Sequence, residues 1–269
     1  MRLRRQRIAF PGGPASVLSL GRGGVPVLLL HGFAGDLLTW QFNLAALAAG
    51  RRAVAVDLPG HGESTLDVGS GRVADFAPWV ERLLDALGLP LVHVVGHSMG
   101  GYLALCLARH APERVASLSL VAPAGVGPRF DVDYLRRLPA LAGMAEARAL
   151  ADALFARPSP LADRLATVLL AQAADPRRRA ALETIVRASF LDAGETLPVD
   201  WAALPMPVQL LWGRQDRVIP VPDAARLPPP KPHRPSALHL FDNAGHLPHS
   251  EAAGPVTAIL RDFLAACDA

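Results

Sequence analysis

The pentapeptide Gly96-His97-Ser98-Met99-Gly100 constrains the fold more than any other feature of this chain. It follows an apolar run, residues 91–95, that is typical of a buried strand, and residues 101–110 after it have helical spacing. A serine between glycines at a strand-to-helix turn forms a nucleophile elbow, where flanking side chains would collide with the strand and the helix. We therefore expect a strained Ser98 whose hydroxyl stands at the carboxyl edge of a sheet.

Apolar runs and helical segments alternate through the first 126 residues. The runs that predict strands are 15–20, 25–30, 52–56, 91–95 and 115–121, and the segments with helical spacing are 40–49, 73–87 and 101–110. Strands that alternate with helices form a parallel sheet with helices on both faces. The predicted class is therefore α/β.

The alternation stops after residue 126. Residues 127–203 are rich in Ala, Leu and Arg with helical spacing, and strand patterns return only at 208–212 and 237–241, before a closing helix at 255–266. This order predicts one core, made of residues 1–126 and 204–269. Residues 127–203 are then a helical insertion between two strands of the same sheet.

Composition excludes several classes of protein. The chain has 269 residues, is 51% hydrophobic and carries a formal net charge of +3, so it can bury a large core. Its basic residues, all arginine except Lys231, form no stripe interleaved with aromatics, and we expect no nucleic-acid partner. The partner we expect is a small-molecule substrate, for a monomer or a homodimer.

Neither a metal site nor a membrane segment is predicted. The two cysteines, Cys106 and Cys267, are far apart, and no metal-ligand spacing is present. The basic residues 1–7 lack the apolar stretch of about seven residues that a secretory signal needs. No apolar run approaches the length of a membrane span. We therefore expect a cytoplasmic protein without a membrane contact.

A serine nucleophile needs a base and a carboxylate that orients the base. Asp216 follows the predicted strand 208–212, and His246 follows the last predicted strand, which gives the chain order Ser98, Asp216, His246. These three side chains are our candidate catalytic triad. Asp242 is the rival carboxylate, and we expect His249 beside the site or at the surface.

Acyl transfer also needs N–H donors for the negative charge that develops on the substrate oxygen. One candidate is the amide of Met99, at a helix N-terminus where the dipole favours an anion. The other is the amide of Phe33, in the loop after the strand 25–30, where Gly32 allows close approach. We expect these two amides to form an oxyanion hole.

The substrate pocket is predicted to be apolar. Three candidates flank the site, namely Phe33, Met99 and Leu247. Three more lie in the insertion, namely Phe130, Phe155 and Phe190. Such walls suit a small to medium ester, thioester or lactone with an apolar acyl part. Acyl transfer to another acceptor, carbon–carbon bond hydrolysis and a non-catalytic binding role remain alternatives.

Five motifs in this order resemble the α/β-hydrolase superfamily. They are His31-Gly32-Phe33, Asp57-Leu58-Pro59-Gly60-His61-Gly62-Glu63-Ser64, the elbow with Ser98, Trp212-Gly213-Arg214-Gln215-Asp216 and Gly245-His246. The resemblance covers nearly the whole chain. It implies a mostly parallel eight-stranded sheet, no cofactor and a helical cap after the sixth strand, which the insertion matches.

Two subgroups are similar to this chain. The segments 31–36, 40–43 and 122–127 look like the hydrolase-like domain of acetoin dehydrogenase E2 acetyltransferases, without the lipoyl domain. The Ser-Met-Gly-Gly run is similar to bacterial carbon–carbon bond hydrolases, which frequently have asparagine at the position of His97 and tryptophan at that of Leu247. Haloalkane dehalogenases and epoxide hydrolases use an aspartate at the elbow, and Ser98 argues against both.

Overall fold

A computed structural model of the protein describes residues 3–126, 130–191, 203–222 and 236–268. Residues 127–129 and 192–202 of the predicted insertion lie outside this description. The secondary structure and contacts below refer to the described ranges.

The core is one eight-stranded sheet. Its strands are β1 (Arg4–Ile8), β2 (Ala15–Gly21), β3 (Val27–Leu30), β4 (Arg52–Val56), β5 (Val92–His97), β6 (Val115–Val121), β7 (Val208–Gly213) and β8 (Ser236–Phe241). Their order is β1-β2-β4-β3-β5-β6-β7-β8. Only β2 runs antiparallel to its neighbours, and the strands from β4 to β8 pair in parallel. The predicted mostly parallel sheet is confirmed.

Helices connect the parallel strands, and two more follow the last strand. They are α1 (Leu44–Leu47), α2 (Ala77–Ala86), α3 (Met99–His110), α4 (Val132–Arg137), α5 (Met144–Ala153), α6 (Pro160–Ala174), α7 (Pro176–Val186), α8 (Pro248–Glu251) and α9 (Ala253–Asp268). Short 3₁₀ turns span Leu37–Trp40, Val73–Phe76 and Pro112–Arg114, and a π-helical turn spans Arg187–Leu191.

The alternation of side chains along β3 shows how the sheet is buried. Leu28 and Leu30 pack into a cluster that includes α2 and α3, whereas Val27 and Leu29 pack into a second cluster with α1 and α9. All four side chains are fully buried. A strand covered on both faces has to be apolar at every position, which is why this segment reads as a continuous apolar run.

The register of the parallel strands brings four loops to one edge. Leu30 at the end of β3 lies beside Gly96 on β5, Val121 on β6 lies beside Leu211 on β7, and Gly213 lies beside Phe241 on β8. The loops after β3, β5, β7 and β8 therefore begin side by side. A ligand site is expected at this carboxyl edge of a parallel sheet.

In its described residues, the insertion between β6 and β7 consists of helices joined by turns, without a strand. It contains α4 to α7 and the π-helical turn. Side chains cap three of these helices: Asp131 accepts from Tyr134 N, Ser159 from Leu161 N and Asp175 from Arg177 N. Proline at the first position of α6 and α7 adds a second start signal.

One sequence prediction of local structure was wrong, and one strand had no predicted bounds. The helix predicted at 40–49 is a 3₁₀ turn followed by the four-residue α1, because the Asp36 side chain caps an earlier start by accepting from Leu38 N. Strand β1 lies in residues 1–24, where the sequence predicts short strands and turns but sets bounds only for 15–20. Its side chains are exposed and lack an apolar pattern, so its main-chain pairing with β2 alone defines it.

Candidate active site

Ser98 stands at a strained turn between β5 and α3. Its φ and ψ angles are 52° and −116°, a conformation that non-glycine residues rarely adopt. A Cβ atom at Gly96 would overlap the main-chain oxygen of Gly100, and one at Gly100 would lie 2.5 Å from the oxygens of Leu30 and His31. These close approaches are the physical reason for glycine on both sides of the serine.

His246 and Asp216 are joined by a hydrogen bond. The distance between His246 Nδ1 and Asp216 Oδ2 is 2.8 Å, and both side chains are almost completely buried. Because an ionised carboxylate only accepts, Nδ1 carries the proton and Nε2 is left with a free lone pair. The loops after β7 and β8 thus bring together two groups 30 residues apart.

The Asp216 carboxylate receives three further N–H donors. Oδ1 accepts from the amides of Val218 and Ile219 at 2.9 Å each, and Oδ2 accepts from Trp212 Nε1 at 3.2 Å. This set of donors fixes the carboxylate and compensates its burial. The rival Asp242 points to solvent, with a side chain that is 78% exposed and paired with Arg214.

Ser98 and His246 line the same cavity, which is also open to the side chains of the insertion. No hydrogen bond joins their side chains in the described structure. Such a contact is often long in a ligand-free enzyme and tightens when substrate binds. The cavity therefore contains a strained serine and an oriented imidazole with a free nitrogen.

Phe33 and Met99 belong to two segments that meet at Ser98. Met99 is the first residue of α3, and a Cβ atom at Gly32 would lie 3.1 Å from Ser98 Cβ, so the loop after β3 passes directly against the serine. Among the hydrogen bonds of the described residues, neither amide is a donor. Both N–H groups are thus without a protein acceptor among the described residues.

Two buried histidines hold the loop that carries Phe33. His31 Nδ1 donates to Gly32 O, and its Nε2 accepts from Leu58 N at 3.0 Å. His61 Nδ1 donates to Pro59 O, and its Nε2 accepts from Ala34 N at 3.1 Å. Desolvation lowers the pKa of His31 and lowers that of His61 to about 3, so both rings stay neutral and can accept.

Three of the six predicted pocket residues line the cavity, namely Phe33, Phe155 and Leu247. The other three do not. Met99 is 1% exposed because its side chain packs into the sheet–helix core. Phe130 and Phe190 form a second layer, since Phe190 packs edge-on against both Phe130 and Phe33.

Sequence reasoning missed most of the cavity wall. Helix α6 contributes one face, at positions i, i+4, i+7 and i+8, formed by Leu161, Leu165, Val168 and Leu169. The loop after β3 adds Leu38 and Phe42, and α4 adds Tyr134 and Leu135. The helical periodicity of α6 was a usable signal for its buried face. Nothing in the sequence showed that this face would meet Ser98.

A stack of buried rings lies behind His246. The His97 ring is 4.7 Å from that of His246 and 4.6 Å from that of His249, and the Trp40 ring is 4.7 Å from that of His249. Both nitrogens of His249, Nδ1 of His97 and Nε1 of Trp40 have no protein partner. His249 is fully buried, so of the two expected positions it takes the one beside the site and not the one at the surface.

A second Ser–His–Asp constellation occurs at the other end of the sheet. His93 Nδ1 lies 2.8 Å from Ser117 Oγ, and His93 Nε2 lies 3.0 Å from Asp268 Oδ1. Ser117 is fully buried within β6 and has no strained turn. Residue types alone therefore do not identify the site, and access to a cavity distinguishes Ser98 from Ser117.

Two negative findings apply to the described ranges. Their histidine, cysteine, aspartate and glutamate side chains form no group of three or more suited to hold a metal ion. None of their helices combines the length and the apolar character required to cross a membrane.

Comparison with known proteins decides the family. The family model described as "alpha/beta hydrolase fold" matches residues 25–253. The chain belongs to the α/β-hydrolase family.

Two curated relatives of this α/β hydrolase come from Pseudomonas putida. The acetyltransferase component of an acetoin cleaving system is 36% identical over 248 residues, which are 91% of this chain and 64% of the relative. The chain thus spans just under two thirds of that relative's length. A 2-hydroxy-6-oxononadienedioate/2-hydroxy-6-oxononatrienedioate hydrolase is 32% identical over 272 residues, covering 91% of this chain and 89% of the relative. Both predicted resemblances are confirmed.

Among solved structures, a membrane phospholipase A described as a bacterial virulence factor superposes with a TM-score of 0.83 at 27% identity. The match covers 98% of this chain and 86% of the other. The α/β hydrolase described here therefore shares detectable sequence similarity with proteins named for acyl transfer and for hydrolysis.

Proposed function

We propose that the protein is a serine hydrolase that cleaves ester, thioester or lactone carbonyls through an acyl-enzyme. The observation that carries this proposal is the 2.8 Å contact between His246 Nδ1 and Asp216 Oδ2, which leaves Nε2 free in the cavity that holds the strained Ser98. The second constellation does not compete for this role, because its Ser117 is fully buried within β6.

The first half of the reaction forms the acyl-enzyme. Ser98 Oγ attacks the carbonyl carbon while His246 Nε2 takes the hydroxyl proton, and Asp216 stabilises the resulting imidazolium. The amides of Phe33 and Met99 bind the oxyanion, each contributing about 3 kcal/mol in the transition state. Collapse of the intermediate expels the alcohol or thiol, which receives the proton from His246.

The second half releases the product. His246 Nε2 takes a proton from water, whose oxygen attacks the acyl carbon, and the same two amides hold the oxyanion again. Collapse then breaks the bond to Ser98 Oγ, which regains its proton from His246. The carboxylic acid leaves and the free enzyme is restored.

The apolar side chains of the cavity wall favour a substrate whose acyl group is apolar and binds there. Phe33, Leu154, Phe155, Leu165 and Leu169 line it together with Ser98. We propose that the helical insertion acts as a cap, because α4 and α6 supply part of this wall. Burial of an apolar chain against these side chains contributes about 25 cal/mol per Å².

The decisive experiment is labelling with a fluorophosphonate probe alongside turnover of p-nitrophenyl esters. Wild type should be labelled and should hydrolyse butyrate esters, and Ser98→Ala should lose both activities while keeping its circular dichroism spectrum. Ser117→Ala, from the second constellation, is the matched control and should keep both. A folded wild type that neither reacts with the probe nor turns over any ester of the series would refute catalysis by Ser98.

Acyl transfer is the second candidate, favoured by the 36% identity to an acetyltransferase component. The two functions differ only in the acceptor that attacks the acyl-enzyme. Adding small thiols and alcohols to the ester assay separates them. Transfer is indicated if acylated thiol accumulates faster than free acid, and hydrolysis is indicated if the acid remains the main product.

A further inference from the structure

We propose that Glu251 is a positioning residue whose carboxylate fastens the insertion segment 154–156 to the loop that carries His246. Its Oε1 accepts from Gly245 N and its Oε2 from Ala156 N, both at 2.7 Å. The Glu251 side chain thus links Gly245, the residue before the proposed base, to Ala156, the last residue of the segment 154–156. The inference concerns catalysis and so rests on the proposed function.

Main-chain contacts join the same two segments directly. His246 N donates to Leu154 O at 2.8 Å. Gly245 approaches so closely that a Cβ atom there would lie 2.7 Å from Leu154 O and 2.8 Å from Ala156 N. The loop with His246 and the segment 154–156 are therefore in van der Waals contact at a position where only glycine fits.

The loop with Asp216 binds this segment from another side. Arg217 Nη2 donates to Phe155 O at 2.7 Å and to Asp152 O at 3.1 Å. Three consecutive residues, 154 to 156, thus each have a main-chain group bound by His246, by Arg217 or by Glu251. Such a set of bonds fixes the segment relative to the imidazole.

The consequence for catalysis comes from the side chains of that segment. Leu154 and Phe155 line the cavity together with Ser98 and His246. A displacement of the segment would therefore move the wall against which the acyl group packs and, through His246 N, the base itself. Misplacement by about 1 Å can reduce turnover a hundredfold.

A carboxylate suits this position better than an amide. Each oxygen of Glu251 accepts from a different N–H group, whereas a glutamine would turn its NH₂ group toward one of the two donors. Glu251→Ala leaves both amides without this acceptor, and Glu251→Gln leaves one. Glu251→Ala therefore removes both contacts, and Glu251→Gln removes one of the same two.

Hydrogen exchange of the intact protein tests the fastening independently of activity. In Glu251→Ala, peptides that cover 152–157 and 244–247 should exchange at least about tenfold faster, with intermediate rates in Glu251→Gln. Peptides from β3 and β5 should be unchanged. Glu183→Ala, on the exposed face of α7, is the matched control and should exchange like wild type. Wild-type exchange rates at both segments in the Glu251 variants would overturn the proposal.

Kinetics tests the consequence for the site. Glu251→Ala should lower kcat for p-nitrophenyl butyrate about tenfold or more, and it should change the ratio of kcat/KM for octanoate and butyrate esters at least threefold. In the double variant Glu251→Ala/Arg217→Ala, the loss of kcat, expressed as a free energy, should be smaller than the sum of the two single losses, because both changes release the same segment. Additive losses with an unchanged acyl-length ratio would contradict the proposal, and if Glu251→Ala does not fold, Glu251→Gln decides on the same criteria.

The two proposals fail in different ways. If wild type shows no esterase activity and no fluorophosphonate labelling, the proposed function is refuted, while the exchange measurement still decides whether Glu251 fastens the segment. If wild type is active and the Glu251 variants match it in exchange and kinetics, only the positioning role is refuted.

Discussion

The ring of His97 donates a hydrogen bond to the main-chain oxygen of His246, with 2.9 Å between Nε2 and that oxygen. Because a carbonyl only accepts, Nε2 carries the proton. The residue just before the elbow serine thus holds the loop of the proposed base, across 149 positions of sequence. The loop of His246 is fastened from both sides, by His97 and by the insertion.

Replacing His97 should impair catalysis more than substrate binding. Asparagine is too short to reach the oxygen of His246, so His97→Asn releases the loop and should lower kcat about tenfold, with KM within about threefold of wild type. Steady-state kinetics with p-nitrophenyl butyrate measures both constants. His110→Asn, whose ring is exposed, is the control, and an unchanged kcat in folded His97→Asn would show that the bond does not position the base.

Asp216→Asn should reduce turnover at least about a hundredfold without unfolding the protein. An amide at this position can present its NH₂ group to His246 Nδ1, which favours the tautomer whose proton sits on Nε2 and cannot act as a base. The measurement is kcat for p-nitrophenyl esters at pH 8. Asp242→Asn, the exposed rival, should be near wild type, and the opposite ranking of the two variants would reverse their assignment.

Acid should destabilise the fold through its buried histidines. Desolvation lowers the pKa of both His61 and His249 from 6.5 to about 3, so between these pH values the unfolded chain binds more protons than the folded one. The free energy of unfolding is therefore highest above pH 6.5. It should fall below that pH by up to about 1.4 kcal/mol per pH unit for each such histidine.

Part of this pH dependence of the free energy of unfolding can be assigned to a single side chain, His249. His249 has no partner for either nitrogen, so His249→Leu removes its proton linkage without breaking a protein hydrogen bond. Urea unfolding at pH 7.5, 6.5 and 5.5 should show a shallower pH dependence in His249→Leu than in wild type. His110→Leu serves as the exposed control, and equal slopes in wild type and His249→Leu would disprove the assignment.

Glycine substitutions should distinguish the elbow from an open helix position. Gly100→Ala places a carbon 2.5 Å from the oxygens of Leu30 and His31, so it should cost about 1–3 kcal/mol or more and disturb Ser98. Gly254→Ala in α9 meets nothing within 4 Å and should be neutral or stabilise by up to about 1 kcal/mol. Thermal unfolding and ester turnover check both, and a stable, fully active Gly100→Ala would contradict the packing argument.

Local sequence patterns were sufficient to predict the strands of the parallel part of the sheet. The strands β3, β4 and β6 are largely buried on both faces, and each was predicted within two residues. Patterns failed where pairing alone defines an element, as in β1, and where one side-chain cap moves a helix start, as at Asp36. Periodicity reports burial, and neither feature depends on burial.

The sequence by itself determined the sheet, the elbow at Ser98 and the order in which the nucleophile, the carboxylate and the base follow their strands. These features are encoded in short segments, through apolar runs, glycines that avoid a collision and loops at strand ends. Only the tertiary structure decided that Asp216, and not Asp242, meets His246, and that α6 faces the cavity. It also decided that Glu251 and His97 fasten the loop of His246, because contacts between distant segments depend on packing that no local pattern records.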